Sequence, residues 1–504
     1  MAQHLLAIDQ GTTGSTALVL GLDGRTLGRA TCEFPQHFPN PGEVEHEPEE
    51  IWQSVVSSMG EALRVAQIKG ADIAAIGITN QRETTLLWER ASGKPLQRAI
   101  VWQDRRTSGW CDELRARGEL ARVRATTGLV LDPYFSATKI RWILDHVSGA
   151  RGRAEAGELA FGTVDSYLVY RLAGGAVANA PHVTDVTNAS RTSLMNLAAR
   201  EWDRSMCELF QVPMAVLPRI VPNAAPIART LGVPGLPDGI PVSGMAGDQH
   251  AALFGQGCFE SGQVKCTYGT GAFVLMNTGS APTVSHHGLL STLAWQLSEV
   301  PVYALEGSCF VAGAAIQWLR DGLGIIGSAA EVEALAASVP DNGGVTFVPA
   351  LAGLGAPHWD ADARGMISGI TRGTGRGHLA RATLEGLALQ VHELLAAMSQ
   401  DLGAPIQTLR VDGGASQNNL LMQLQADIAQ VSVERPRELE TTARGAAMLA
   451  GIGAGLFSGP EDAARLLVVD RRFEPSLAAE ARQKLLAQWG RAILRTSERG
   501  ERID

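Results

Sequence analysis

The sequence lacks the features that mark several large classes of protein. Its six cysteines (Cys32, Cys111, Cys207, Cys258, Cys266 and Cys309) include no C-x-x-C pair and lie far apart in a chain much longer than a disulfide scaffold. They read as reduced thiols, most of them core. No block of like charge interrupts the even spread behind the net charge of -9, which argues against a nucleic-acid face and against an acidic tail. No run approaches the roughly 18 to 20 apolar residues that a membrane helix needs. The start, MAQH and then a short apolar run, matches neither a signal peptide nor a myristoylation site. The expectation is a soluble cytoplasmic protein with no nucleic-acid partner and no membrane insertion. Aromatic residues make up only 5% of the chain.

What is present is enough apolar sequence for two cores: 504 residues, 45% of them hydrophobic. Short β-branched runs, AAIGITN (residues 74–80), IPVSGMAG (240–247), VTFVPA (345–350) and TLRVDGG (408–414), alternate with helical patterns. That alternation predicts an α/β architecture. In the segment from His378 to Gly403, Leu384, Leu387, Val391, Leu394 and Met398 recur at three- and four-residue spacing, as on the buried face of a helix. His392 in this segment is not part of a zinc motif. The glycine-rich stretches 232–239 and 350–360 read as loops.

The opening stretch, LLAIDQGTTGSTALVLGLDG (residues 5–24), sets an apolar strand, Asp9, a loop of Gly11, Thr12, Thr13 and Gly14, and then a second apolar strand. Glycines flanked by hydroxyls at a strand end suit a phosphate. The loop has no lysine and leads into a strand, so it is neither a Walker loop nor a Rossmann fingerprint. The plan returns in VKCTYGTGAFVLMNTG (264–279), with Gly269, Thr270 and Gly271 at the turn. This internal repeat predicts two domains of similar plan, 1–253 and 254–504, meeting near residues 251–262 and presenting their hairpins to a shared cleft.

Several polar residues sit where apolar strands end. An isolated aspartate at such a place is usually a turn residue or a cap. Beside a phosphate hairpin, Asp9 instead suits hydrated Mg²⁺, which takes one or two carboxylates plus phosphate oxygens. Asp248 and Gln249 follow the small-residue strand GMAG, which would admit a ligand closely. Phosphoryl transfer needs a group to orient the attacking hydroxyl and accept its proton, and Asp248 fits that task. Arg82 and Glu83 lie between two apolar runs, as an ordinary ion pair or as partners of a polar ligand. With Trp102, Tyr134 and Phe273 they could hold the hydroxyls and cover the C–H edge of a small polyol. In RVDGGASQNN, Gly413 and Gly414 would let a base or ribose approach the backbone, with Asn418 on the first helical turn as an amide partner. GASQN is not a nucleophile elbow, because Asn418 stands where the last glycine belongs.

Together these segments resemble the FGGY carbohydrate-kinase family of the actin-like ATPase superfamily, nearly end to end. AIDQGTTGS, PGEVEHEPEEIW, AIGITNQRETT, AIVWQDRRT, TGLVLDPYFSATKI, TDVTNASRT, GMAGDQHAALFGQ, CTYGTGAFVLMNTG, YALEGS, GAAIQWLRDGL, PALAGLGAP and LRVDGGASQNNLLMQ follow in the family's order. The resemblance implies two actin-like (ribonuclease H-like) domains around a central cleft. It further implies ATP- and Mg²⁺-dependent phosphorylation of glycerol to sn-glycerol 3-phosphate, and assembly as a homodimer or homotetramer. It implies glycerol contacts at Arg82, Glu83, Trp102, Tyr134, Asp248, Gln249 and Phe273, with Asp248 as general base. Nucleotide contacts carry over to Thr12, Thr13, Gly14, Thr16, Thr270, Gly313, Gln317, Gly414 and Asn418. Asp9, and Asp248 through water, would face the metal. Family members often carry arginine where this chain has Thr16, so one phosphate contact is altered. The loop GVPGLPDGI lacks the basic residues of a sugar-bisphosphate site, and PSLAAEARQKLLAQW does not match the segment through which some members bind a transport regulator. Neither form of control is expected. A kinase for another small polyol or ketose is the nearer alternative, and a non-catalytic actin-like ATPase or sugar sensor the more distant one.

Overall fold

The computed structural model describes residues 3–360 and 362–496; the first two residues of MAQH, residue 361 and the expected second domain's last stretch, 497–504, lie outside the described residues. The first of two large sheets contains β1 (His4–Gln10), β2 (Gly14–Gly21), β3 (Thr26–Glu33), β4 (Ile73–Asn80), β5 (Ala224–Arg229) and β6 (Pro241–Gly247). Its strand order is β5-β6-β4-β1-β2-β3. β1 to β3 form an antiparallel meander, while β4 runs parallel to β1 and β6 parallel to β4.

β1 is apolar at consecutive positions because layers cover both of its faces. Leu6 and Ile8 pack with Ile76, Ile78 and the helix Pro48–Ala66. Pro48 opens that helix where a missing N–H costs nothing, Glu49 and Glu50 lie at the positive end of its dipole, and Ile51, Val55, Met59 and Ala62 form its buried stripe. Leu5 and Ala7 face the other way, onto the small residues of the helix Thr441–Gly453. Here backbones touch: a Cβ on Gly77 would stand 2.1 Å from the carbonyl oxygen of Ala446, and one on Gly445 would stand 1.9 Å from that of Ala251. A helix from late in the chain therefore completes the core of the first sheet.

The second sheet contains β7 (Val264–Tyr268), β8 (Ala272–Gly279), β9 (Leu290–Gln296), β10 (Pro301–Cys309), β11 (Thr408–Asp412), β12 (Ser432–Pro436) and β13 (Val469–Phe473), in the order β9-β10-β8-β7-β11-β12-β13. β7 and β8 form an antiparallel hairpin, and β11 and β12 continue parallel to β7. This repeats the plan of β1, β2, β4 and β6, so the internal repeat read in the sequence corresponds to two sheets of like topology. The helix Arg376–Leu402 buries Leu384, Leu387, Val391, Leu394 and Met398 against this sheet. Of VTFVPA only Thr346–Val348 is strand, and it pairs with Met366–Ser368 outside the large sheets. All six cysteines are free, and only Cys32 is not buried.

Candidate active site

Strand register places the expected residues together. Gln10, Asn80 and Gly247, the last residues of β1, β4 and β6, stand side by side. The hairpin loop after Gln10, the Gln81-Arg82-Glu83 turn and Asp248 therefore start from one edge, outside the carboxyl ends of parallel strands. In the second sheet Thr267 pairs with Asp412, so the hairpin loop at 269–271 and the turn at 413–418 also start side by side.

Arg82 and Glu83 belong to a buried charge network. Arg82 places Nε 3.0 Å from Asp248 Oδ1, and both of its terminal nitrogens donate to Glu306, at 2.6 and 3.1 Å. It also donates to the Tyr134 hydroxyl at 3.3 Å. Arg191 donates from Nε to Glu83 at 2.7 Å and from its fork to Glu306 at 3.1 Å. Glu83 is held in the left-handed region, φ 62°, at a tight turn. Burial by itself raises the Glu306 carboxyl, but the guanidiniums of Arg191 and Arg82 bring it down to about 2. Burial raises Glu83 despite those same two guanidiniums. Burial and the Arg82 charge hold His250 well below its ordinary pKa, so it is a neutral wall of the site.

Asp248 begins the helix Asp248–Gly255, with Gly247 at the cap position. Its Oδ1 accepts from the Gln249 amide at 2.6 Å and is ion-paired with Arg82, and among the described residues no group donates to Oδ2. The glycines of GMAG serve the protein itself rather than a ligand. A Cβ on Gly244 would meet Ala450, and one on Gly247 would meet Cγ of Arg82 at 2.7 Å. Gln249 is buried, and its Oε1 accepts from the Lys265 ammonium.

Three of the scarce aromatics converge. The Trp102 ring meets Tyr134 edge-on at 5.6 Å and Phe273 at 6.4 Å. Trp102 comes from the first half of the chain and Phe273 from the second hairpin, so this cover spans both halves. Trp102 Nε1 donates to Thr12 Oγ1 at 3.0 Å, tying the aromatic cover to the first glycine loop.

At the glycine loops, the Gly11 amide donates to the Gly14 carbonyl at 2.9 Å and closes the first loop, leaving Thr13 exposed at its tip. Thr16 lies within β2, opposite Asp9, and its hydroxyl pairs with that of Thr31 at 2.9 Å. The second loop is clasped by the helix Gly313–Asp321: the amides of Ala312 and Ala314 donate to the Thr270 carbonyl, and a Cβ on Gly313 would stand 2.7 Å from the Gly269 carbonyl oxygen. Gln317 is exposed on the next turn. Gly413 has φ 83°, and a Cβ there would collide with Tyr268, so this glycine serves backbone packing. Gly414 is exposed with open space before it. Asn418 is the N-cap of the helix Asn419–Ala429 rather than part of its first turn; its Oδ1 accepts from the Leu421 amide at 2.8 Å. Its amide nitrogen remains for a ligand.

Among the described residues no group donates a hydrogen bond to the Asp9 carboxylate or forms an ion pair with it. Burial, then the charges of Asp248 and Glu440, raise its carboxyl well above the usual range. Such a carboxylate fits a cation that brings its own waters. Among the described residues no three His, Cys, Asp or Glu side chains form a cage for a metal. Burial raises Asp412 to about 6, against the pull of Lys265, and Asp412 Oδ1 has no partner.

Arg191, Lys265 and Glu306 are the residues that sequence reasoning missed as site residues. The only signal was a charge inside a segment otherwise fit for burial, in TDVTNASRT, VKCTY and YALEGS.

Comparison with known proteins identifies the family. Residues 4–255 match the N-terminal domain of the FGGY family of carbohydrate kinases, and residues 264–454 match its C-terminal domain. The chain is 56% identical to the glycerol kinase of Myxococcus xanthus over 496 residues, covering 98% of this chain and 99% of that relative. Its structure is similar to that of Plasmodium falciparum glycerol kinase with ADP, with TM-score 0.90, 35% identity and 98% of each chain covered. A xylulose kinase from Lactobacillus acidophilus, 21% identical, shares the fold with TM-score 0.84 over 97% of each chain.

Proposed function

The chain belongs to the FGGY family of carbohydrate kinases, and on that premise we propose that it phosphorylates glycerol with ATP to give sn-glycerol 3-phosphate. The observation that carries the reading is the cluster in which Trp102, Tyr134 and Phe273 meet beside Arg82 and Asp248, with Glu83 held by Arg191 in the same charge network, at the strand ends that also bear the glycine hairpins. Arg82, Glu83 and Gln249 bind the hydroxyls of glycerol, and the rings cover its carbon edge. Asp248 accepts the proton of the attacking hydroxyl at Oδ2, the oxygen left free by Arg82 and the Gln249 amide. The hydroxyl oxygen bonds to the γ-phosphorus as the bond to the β–γ bridging oxygen breaks, and ADP leaves.

Thr12, Thr13 and Gly14, with Thr16 behind them, and Thr270 with Gly313 hold the phosphates from two sides. Gln317, Gly414 and Asn418 hold the adenosine end. Asp9, and Asp248 through water, would hold Mg²⁺, which neutralises phosphate charge when bound. Closure of the two halves on the substrates excludes water from the phosphoryl group. We divide the chain into 1–253 and 254–504, with the helix Thr441–Gly453 crossing back to the first sheet. Among the described residues no helix is long and apolar enough to cross a membrane, and we place the enzyme in the cytoplasm as a homodimer or homotetramer. Size-exclusion chromatography with light scattering tests the assembly.

The activity is tested by coupled ADP release with MgATP across glycerol, dihydroxyacetone, erythritol, xylulose and ribulose, with a control lacking acceptor. Turnover on glycerol far above the longer sugars and above the control is expected. Preference for a pentulose would overturn the pocket assignment, and equal ADP release without acceptor would overturn the kinase reading.

A further inference from the structure

Two side chains that face the substrate from the first half of the chain are held by fully buried charges from the second. Glu306, on β10, holds Arg82; Lys265, on β7, holds Gln249. The second contact has a consequence for substrate recognition. The Lys265 ammonium has hydrogens to donate and no lone pair to accept with. The Gln249 atom that meets it must therefore be Oε1, which settles the orientation of an amide that could otherwise face either way. Lys265 is itself fixed, since it also donates to Thr267 Oγ1 at 2.9 Å, and Thr267 pairs with Asp412 across β7 and β11.

We infer that Lys265 is a positioning residue that locks Gln249 as a donor-only contact, so that Gln249 offers its Nε2 hydrogens, and no acceptor, to a substrate hydroxyl. Glu83 is the complement: Arg191 occupies its Oε1, and its other oxygen is free to accept. A hydroxyl that met both would accept from Gln249 and donate to Glu83. Lys265 stands two residues before Thr267 on the strand that leads into the second glycine loop, so the lock ties polyol recognition to the nucleotide-binding half. The inference rests on glycerol binding beside Gln249, and wild-type turnover on glycerol tests that premise separately.

The test is a double-mutant cycle in the full-length enzyme, with Lys265→Met, Gln249→Leu and the double variant, reading KM for glycerol, KM for MgATP and kcat. If Lys265 acts through Gln249, each single change raises the glycerol KM by about tenfold or more and the double variant is no worse than the worse single. The MgATP KM stays within about threefold. Multiplicative effects, or a Lys265→Met effect confined to kcat or MgATP, would overturn the inference.

Gln249→Glu supplies a readout that does not depend on Lys265→Met folding. Its carboxylate still takes the lysine but has no N–H, so its glycerol KM should rise as far as that of Gln249→Leu while its melting temperature stays above that of Gln249→Leu. A Gln249→Glu variant that melts no higher than Gln249→Leu would show that Lys265 does not hold residue 249, and would overturn the inference as well.

Discussion

Glu306→Gln is the most informative single change, because it removes one charge and almost no volume from the centre of the network. Glu306 is fully buried, in contact with two guanidiniums at 2.6 to 3.1 Å. Burial opposes its ionisation and the arginines more than restore it, taking the carboxyl from its ordinary 4.5 to about 2. At 1.36 kcal/mol per unit this corresponds to about 3 kcal/mol of stability at neutral pH. Loss of one partner from a buried ion network independently suggests a cost of about 3 to 5 kcal/mol. The folded-state value lies below the unfolded one. The stabilisation is therefore complete above the ordinary carboxylate pKa and disappears as the pH falls through about 2.

Urea unfolding of wild type and variant should accordingly differ by about 3 kcal/mol near pH 7, and the gap should narrow by about 1 kcal/mol near pH 3.5. The glycerol KM should rise as well, since Arg82 loses half of a bidentate anchor. A gap below about 1 kcal/mol at neutral pH, or one that does not narrow in acid, would refute the account of Glu306 as the ionised centre of the network.

Other changes address the chemistry. Asp248→Asn should lower kcat by about 10² to 10⁴ with glycerol binding nearly unchanged by calorimetry; near-normal turnover would remove Asp248 from the role of base. Asp9→Asn should raise the Mg²⁺ concentration needed for half-maximal activity. Because burial and neighbouring carboxylates raise the Asp9 carboxyl, protons compete with the cation there, so activity lost on acidification should be partly restored in wild type by added Mg²⁺ and not in the variant. Trp102→Phe keeps an aromatic ring and removes the donor to Thr12. It should alter the KM for MgATP, whereas Phe273→Leu should alter that for glycerol alone; steady-state kinetics with each substrate varied distinguishes the two.

The chain order by itself determined what depends on near neighbours. Apolar runs interrupted by Gly-Thr-rich turns predict strands and hairpins, and a carboxylate that follows an apolar run stands at the edge where parallel strands end. Asp9, Arg82, Glu83, Asp248 and both glycine loops are legible for that reason, and the repeated hairpin announced the two sheets. Tertiary structure alone decided which charges could be buried. Glu306 is bonded to a residue 224 positions away, and Arg191 to one 108 away; in isolation each is only an ionisable group within an apolar stretch.

The same holds for glycines. GMAG reads as room for a ligand, but Gly244 and Gly247 admit Ala450 and the Arg82 side chain, partners that only the folded chain brings near. Asn418 belongs to the turn that its position suggested, yet its Oδ1 is taken by a helix cap. Local pattern places a side chain at the edge of a strand. Which of its atoms remain free for a substrate depends on buried partners far away in sequence, because a desolvated charge or amide is stable only when another group, fixed by the fold, completes its hydrogen bonds.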